Sequence, residues 1–213
     1  MNFDQAREQM VEEQLHARGI HDERVLAAMR RVPRHWFVPE GIRDAAYEDR
    51  ALPILENQTI SQPYIVALMT ELAQVGPGGK VLEVGTGSGY QAAVLADLGA
   101  KVFSIEIVDA LARRARELLN KLGYASVSVR SGDGYDGWPE QAPFDAVLIT
   151  AAPQRIPEPL KQQLKIGGRL ISPVGEWHQE LIVLTRTENG FDMRDVLPVI
   201  FVPMTGKARS PYP

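Results

Sequence analysis

The chain has 213 residues, 45% of them hydrophobic and 23% charged, which is typical of a globular protein large enough to fold without disulfides or metals. Its net charge of -4 argues against a nucleic-acid surface, and the lack of cysteine excludes disulfides, thiolate metal sites and cysteine nucleophiles. Acidic residues run through positions 1–20, unlike a signal peptide, and no apolar stretch is long enough for a membrane span, so we expect a cytoplasmic protein.

Residues 1–78 are predicted to form a helical and loop extension that covers the active site. Its predicted segments are two helical pieces within 1–31, an irregular stretch at 33–63 and a helix at 63–75. Gly19 is expected to end the first piece, and Asp22 is expected to cap the second. The irregular stretch is rich in proline and aromatic residues, and such a segment before a regular core often folds over a ligand site.

From Lys80 the pattern changes to alternating strands and helices, so residues 79–213 are predicted to be the core. Strands are predicted at 80–84, 101–105, 126–129, 144–150, 169–171, 180–185 and 196–202. Helices are predicted at 90–98, at 109–122 with Asp109 as its cap, and near 157–164. Crossover helices between strands indicate a mostly parallel sheet with helices on both faces. A turn at 188–190 predicts that the last two strands form an antiparallel hairpin at one edge.

The glycine-rich loop VLEVGTGSGYQ lies between the first core strand and its helix. Gly85, Gly87 and Gly89 have the spacing G-x-G-x-G, one residue shorter than the G-x-G-x-x-G of dinucleotide sites. S-adenosylmethionine has no phosphate and needs close backbone approach rather than an anion cradle. The loop therefore favours this methyl donor over NAD, and a tight turn without a ligand is the alternative.

Two acids follow the next two predicted strands. Glu106 ends the second strand, where a carboxylate can accept hydrogen bonds from both ribose hydroxyls of a nucleoside. Asp133 follows the third strand, beside Gly134, and its carboxylate is placed to accept the adenine amino group. For Asp133 a role as a helix cap is the alternative. Together with the glycine loop, these acids predict a nucleoside site at the strand ends.

Several segments of the chain closely resemble the bacterial protein-L-isoaspartate O-methyltransferase family. They are QTISQPYIV (58–66), VLEVGTGSGYQ (81–91), GDG (132–134), FDAVLITAAP (144–153) and LPVIFVPMTG (197–206), with RVPRHWFVP (31–39) and LKIGGRLISPVG (164–175) also similar. The resemblance runs from about residue 5 to residue 206. Position 83 is Glu where some relatives carry Asp, and the tail KARSPYP resembles nothing of use.

The resemblance implies a doubly wound, mostly parallel, Rossmann-like sheet of about seven strands with an N-terminal helical extension. It implies methyl transfer from S-adenosylmethionine to the free α-carboxylate of L-isoaspartyl residues in damaged proteins and peptides, which starts their repair through a succinimide. Ser61 then supplies the active-site hydroxyl. The donor-binding residues are predicted to be Thr59, Ile60, Gln62, Glu83, Gly85, Thr86, Gly87, Gly89, Glu106, Asp133 and Gly134.

Methyl transfer to a carboxylate does not require a general base from the protein. A peptide α-carboxyl has a pKa of about 3.5, so the nucleophile is already ionised and needs no general base. Ser61 is expected to orient that carboxylate, and capping of the helix near Pro63 is the alternative role. The 4 histidines have no metal-like spacing, so no metal is expected. We expect a monomer that binds neither nucleic acid nor membranes.

Three other functions remain open at this point. A methyltransferase of the same fold acting on a small-molecule oxygen or nitrogen acceptor is the nearest one, although no base or metal cluster favours it. A nicotinamide-dependent dehydrogenase is disfavoured by the short glycine spacing. A non-catalytic donor-binding module is disfavoured by the complete set of predicted site residues.

Overall fold

The computed structural model describes residues 2–209, and a seven-stranded sheet lies at its centre. The helices are α1 Phe3–Gln9, α2 Glu23–Arg31, α3 Pro63–Ala73, α4 Tyr90–Asp97, α5 Asp109–Lys121 and α6 Glu158–Gln162. The strands are β1 Leu52–Pro53, β2 Thr59–Ile60, β3 Lys80–Val84, β4 Lys101–Glu106, β5 Ser128–Ser131, β6 Phe144–Ile149, β7 Leu164–Val174, β8 Gln179–Thr187 and β9 Gly190–Val199. The last four residues of the tail noted above lie outside the described residues.

The order of the large sheet is β5-β4-β3-β6-β7-β8-β9. Strands β3 to β7 are parallel, whereas β8 and β9 are antiparallel to their neighbours. This confirms the predicted doubly wound, mostly parallel sheet with a hairpin at one edge. The chain order reverses at β3, which has β4 on one side and β6 on the other, and such a switch point is where open α/β sheets bind ligands.

The N-terminal segment is helical in two pieces, as predicted. Helix α1 continues through a π-helical turn at Met10–Leu15 and a 3-10 turn at His16–Arg18, and the piece ends at Gly19. The Asp22 carboxylate caps α2 by accepting a hydrogen bond from the Arg24 backbone N–H at 2.9 Å. Within the described residues no helix is long and apolar enough to cross a membrane.

Two strands of the antiparallel edge differ from their predicted bounds. Strand β7 begins at Leu164 instead of 169, because Leu164 pairs with Phe144 before an irregularity shifts the register. Strand β9 runs over Gly190–Val199 instead of 196–202. Residues 192–195 are exposed at this edge of the sheet and three of the four are charged, so this part of the strand lacks the apolar pattern that predicts a strand.

Strand β5 and the start of helix α5 also differ from the prediction. Strand β5 covers Ser128–Ser131 rather than 126–129, in register with the end of β4. The predicted cap at Asp109 is wrong, since Asp109 is already the first residue of α5 and Val108 is the N-cap, without a side-chain bond. The Glu106 carboxylate instead accepts a hydrogen bond from the Val108 backbone N–H at 2.9 Å.

The core has two apolar clusters, one on each face of the large sheet. Along β3, Val81 belongs to one cluster and Leu82 to the other, as the alternation of a strand requires. The first cluster also holds Leu26 and Met29 of α2, so the N-terminal helices share a core with one face of the sheet. Because both faces are covered, the central strands are mostly apolar.

A small hairpin that was not predicted lies within the irregular stretch. Strands β1 and β2 pair antiparallel, with Leu52 opposite Ile60, and the turn includes Glu56 and Asn57 with positive φ. Ile54 packs towards the glycine loop, where its Cδ1 would lie 3.8 Å from a Cβ built on Gly87. The hairpin therefore brings β2 next to the switch point of the sheet.

Candidate functional site

A cavity of about 950 Å³ lies at the carboxyl ends of β3, β4 and β6. The predicted site residues that line it are Thr59, Ile60, Ser61, Gly85, Thr86, Gly87, Glu106, Asp133 and Gly134. Lining residues that the sequence interpretation missed include Val66, Met69, Tyr90, Gln91, Ile107, Thr150 and Met204.

The glycine loop is held tightly against the end of β6. The Gly85 carbonyl accepts a hydrogen bond from the Thr150 hydroxyl at 2.5 Å, and the Gly85 N–H donates to Ile105 at 2.8 Å. Gly85 has φ +102°, and a Cβ there would lie 2.4 Å from the Thr150 oxygen. Only glycine fits this position without a shift of the loop or of Thr150. Thr150 lies within the segment FDAVLITAAP, but its residue type does not indicate this contact with the glycine loop.

Glu106 presents a pre-oriented carboxylate to the cavity. Its Oε2 accepts a hydrogen bond from the Gly87 N–H at 2.8 Å, and its Oε1 accepts one from Val108. The residue is only 6% exposed. Each carboxylate oxygen keeps a further lone pair for a ligand. Glu106 can therefore accept hydrogen bonds from a pair of neighbouring hydroxyls without first having to be ordered.

Glu83 lies behind the glycine loop and does not line the cavity. The Ser104 hydroxyl donates to its Oε2, and the Thr86 hydroxyl lies 2.5 Å from the Ser104 oxygen. Burial raises the pKa of Glu83 to about 8, with the Ser104 bond opposing the shift and the charge of Glu106 adding to it. Burial thus favours the protonated form of Glu83, and its carboxyl supports Thr86 through Ser104.

Two other predicted site residues also lie outside the cavity. Gly89 is the N-cap of α4 and packs against Ala115 and Leu119 of α5. The Gln62 side chain faces a neighbouring groove, where its amide donates to the Asp49 carboxylate at 2.7 Å. Both residues shape the site from outside the cavity that their neighbours line.

Asp133 combines the two roles that the sequence left open. It lines the cavity, and it also caps the short 3-10 turn Gly134–Asp136. Its Oδ1 accepts a hydrogen bond from the Tyr135 N–H at 2.9 Å, and its Oδ2 accepts one from the Lys207 N–H at 2.8 Å. The carboxylate is fixed between two segments that are far apart in sequence.

The segment Val202–Lys207, here called the C-terminal strap, closes one side of the cavity. The Ala152 N–H donates a hydrogen bond to the Val202 carbonyl at 2.8 Å, and the Ala152 carbonyl accepts one from the Met204 N–H at 2.7 Å. Gly206 has φ +73°, and a Cβ there would lie 2.3 Å from the Asp133 Oδ2. The Lys207 ammonium pairs with Asp136. The predicted strand at 196–202 includes the first residue of the strap, Val202, and nothing in the sequence pattern indicates that the strap forms a wall of the cavity.

Ser61 lies where the cavity meets a second groove. The groove has a volume of about 1100 Å³, and it shares Thr59, Ser61, Thr150 and Val202 with the cavity. Helix α3 has Gln62 as its N-cap without a side-chain bond, so the alternative that Ser61 caps this helix is wrong. Within residues 2–209 the Ser61 hydroxyl makes no hydrogen bond, and its backbone carbonyl accepts one from Arg34 at 2.8 Å. The hydroxyl is thus available to a ligand.

These features fit a nucleoside methyl donor better than a metal or a dinucleotide. Gly85 and Gly87 line the cavity, and Glu106 faces it with unused lone pairs. In the part of the chain that the structure describes, no three His, Asp or Glu side chains come together as metal ligands. The second groove gives an acceptor its own access to Ser61.

Comparisons with known proteins identify the family. Residues 5–209 match the family described as Protein-L-isoaspartate(D-aspartate) O-methyltransferase (PCMT). The protein-L-isoaspartate O-methyltransferase of Gloeobacter violaceus is 60% identical over 198 residues, which cover 92% of this chain and 97% of the relative. That of Methanoculleus marisnigri is 54% identical over 202 residues, which cover 94% and 92%.

Solved structures agree with this assignment. One named protein-L-isoaspartate O-methyltransferase has a TM-score of 0.86 at 30% identity, covering 95% of this chain and 67% of that chain. Another, from Plasmodium falciparum and in complex with S-adenosyl-L-homocysteine, has a TM-score of 0.79 at 26% identity, covering 93% and 98%.

Proposed function

Because the chain belongs to the protein-L-isoaspartate(D-aspartate) O-methyltransferase family, we propose that its cavity binds the methyl donor and that the groove beside Ser61 binds the acceptor peptide. The chain is an S-adenosylmethionine-dependent enzyme that methylates isoaspartyl residues in proteins. The observation that supports this placement best is the position of Ser61, whose unpaired hydroxyl lies at the junction of the cavity and the groove.

On the donor side, three parts of the cavity have distinct tasks. When bound, S-adenosylmethionine supplies a methyl group on a sulfonium. Glu106 accepts hydrogen bonds from the ribose hydroxyls, because its two oxygens are already oriented by backbone N–H groups. Asp133 and Gly134 border the adenine, and the backbone of Gly85–Gly87 borders the amino-acid part. Glu83 acts only indirectly, by holding Thr86 in the loop.

On the acceptor side, the protein needs to position a carboxylate and not to ionise it. Peptide α-carboxyls have a pKa of about 3.5 and are charged at neutral pH, so no general base is required. The Ser61 hydroxyl donates to one carboxylate oxygen and leaves the other directed at the methyl group. Alignment of this kind supplies several kcal/mol of the rate acceleration. The β1–β2 hairpin and the C-terminal strap exclude water from the reacting groups.

Matched peptides test the acceptor assignment. We expect an isoaspartyl peptide to be methylated about a hundredfold faster than the same peptide with normal aspartate, because the wrong carboxylate is misplaced by an ångström or more. The ester should be base-labile and decay through a succinimide, which can be followed with labelled donor. Equal methylation of both peptides, or a base-stable product, would refute this acceptor and favour a small-molecule oxygen or nitrogen acceptor.

Four further assignments are proposals from the sequence. Residues 1–78 and 79–213 are a functional division, since the first part supplies Ser61 and the second supplies the donor acids. The acidic net charge of -4 and the lack of cysteine favour a cytoplasmic location and no affinity for nucleic acid. The monomeric state is likewise a prediction, and light scattering would test it.

A further inference from the structure

Arg34 is a fully buried arginine at the meeting point of three segments. It lies in a 3-10 turn, Arg34–Trp36, within the segment RVPRHWFVP. Its Nε donates to the Ala46 carbonyl at 2.7 Å, and its Nη2 donates to the Ser61 carbonyl at 2.8 Å. The guanidinium also lies 4.9 Å from the centroid of the Tyr90 ring, which lines the donor cavity. One side chain therefore touches both the Ser61 loop and the wall of the donor cavity.

The environment of Arg34 is unfavourable for a charge. Burial lowers its pKa to about 10, and nearby Tyr90 and Tyr47 oppose that shift, so the side chain stays charged at neutral pH. Within residues 2–209 no carboxylate pairs with it, and its Nη1 has no hydrogen-bond partner. A buried charge without a counter-ion costs folding free energy. Stability alone therefore does not explain an arginine at this position.

We propose that Arg34 is a positioning residue that fixes the Ser61 loop against the donor cavity. The inference rests on the proposed role of Ser61 in orienting the acceptor carboxylate. A guanidinium holds its N–H groups in a rigid plane, so bonds to two carbonyls define both the distance and the angle of the loop. The Ser61 hydroxyl projects from the backbone that Arg34 holds. A displacement of about 1 Å at a reacting group can lower the rate about a hundredfold.

The first test is Arg34→Lys, which keeps the charge and loses the planar fork. We expect kcat with an isoaspartyl peptide at saturating donor to fall at least about tenfold, with donor affinity changed less than about threefold. Leu26→Ala is the matched control, because it opens a cavity in the apolar cluster that also holds Ala46 and Tyr90, while it leaves the hydrogen bond between Arg34 and Ser61 in place. Leu26→Ala should lower Tm and leave kcat within about twofold. A kcat loss in Arg34→Lys no larger than in Leu26→Ala would overturn the inference.

The second test is a double-mutant cycle with Ser61→Ala. If Arg34 acts through Ser61, the Arg34→Lys loss in kcat should be much smaller in the Ser61→Ala background. Fully additive losses would refute the action of Arg34 through Ser61 while leaving Ser61 in its role. A Ser61→Ala variant with unchanged kcat would instead refute the proposed role of Ser61, and the inference with it. If Arg34→Lys does not fold, Arg34→Gln serves in the same cycle.

Discussion

The proposed donor side and the proposed acceptor side of the site are built in different ways. Glu106 ends β4 and Asp133 lies two residues beyond β5, and both oxygens of each carboxylate accept hydrogen bonds from backbone N–H groups. Ser61 follows a strand of only two residues, and its backbone is held by a side chain 27 positions earlier. The carboxylates on the proposed donor side are thus fixed by backbone N–H groups at strand ends, whereas the Ser61 backbone depends on a side chain from a distant loop.

If the donor side is rigid and dry, Glu83 should stay protonated in the folded state. Its pKa is raised from its ordinary 4.5 to about 8. At a pH between these two values, Glu83 therefore takes up a proton when the chain folds. The stabilisation is complete below pH 4.5 and is lost as the pH rises through 8, by about 1.4 kcal/mol per pH unit. Glu83→Gln lacks this dependence. Urea unfolding across the range should show the stability of the wild type falling relative to that of the variant.

Parallel stability curves for the wild type and Glu83→Gln would contradict this prediction. They would mean that Glu83 ionises in the folded protein, so that water reaches the space behind the glycine loop. The donor side would then be less tightly packed than its hydrogen bonds indicate.

Replacing Glu by Gln at position 106 of β4 and at position 83 of β3 distinguishes a residue that binds the donor from one that only supports the glycine loop. Glu106→Gln should weaken donor binding by about 1.5–3 kcal/mol, since the bound hydroxyls lose a charged acceptor. Glu83→Gln should change donor affinity less than about threefold, because Glu83 does not line the cavity. Calorimetry at pH 7 measures both. Equal losses would show that the glycine loop transmits changes at Glu83 directly to the donor.

The C-terminal strap offers a milder way to loosen the donor side. Gly206→Ala introduces a Cβ against Asp133 at a left-handed φ, so we expect the strap to detach and the donor to dissociate about fivefold faster. Gly167→Ala is the control, because Gly167 has a similar φ of +80° with open space around it. Stopped-flow displacement measures the dissociation rates. Similar rates in both variants would remove the strap from control of donor release.

This difference in construction also explains what could be predicted from the sequence. Strands β3, β4 and β6 are mostly apolar, Glu106 ends β4 and Asp133 lies just beyond β5, so the pattern placed these two proposed donor residues at the carboxyl ends of the strands. The same pattern could not tell that Glu83 faces away from the cavity. That depends on which face of β3 meets Ser104 of the neighbouring strand.

The acceptor side was accessible only through resemblance. Ser61 was identified because TISQP resembles the family, and no periodicity indicates its role. Arg34 was not identified as a site residue, because its partners Ala46 and Ser61 are brought to it by the fold and not by local spacing. Contacts between loops that are distant in sequence are not encoded in any short pattern.

The exposed stretch 192–195 of β9 affects how readily two copies of the chain can associate through their sheets. An exposed edge strand offers unpaired N–H and C=O groups on which another strand can grow, and proteins commonly guard such edges with charges and proline. Strand β9 exposes Asp192, Arg194, Asp195 and Pro198 along this edge. The charged residues among 192–195, which also interrupt the apolar pattern of this strand, disfavour its pairing with the sheet edge of another copy.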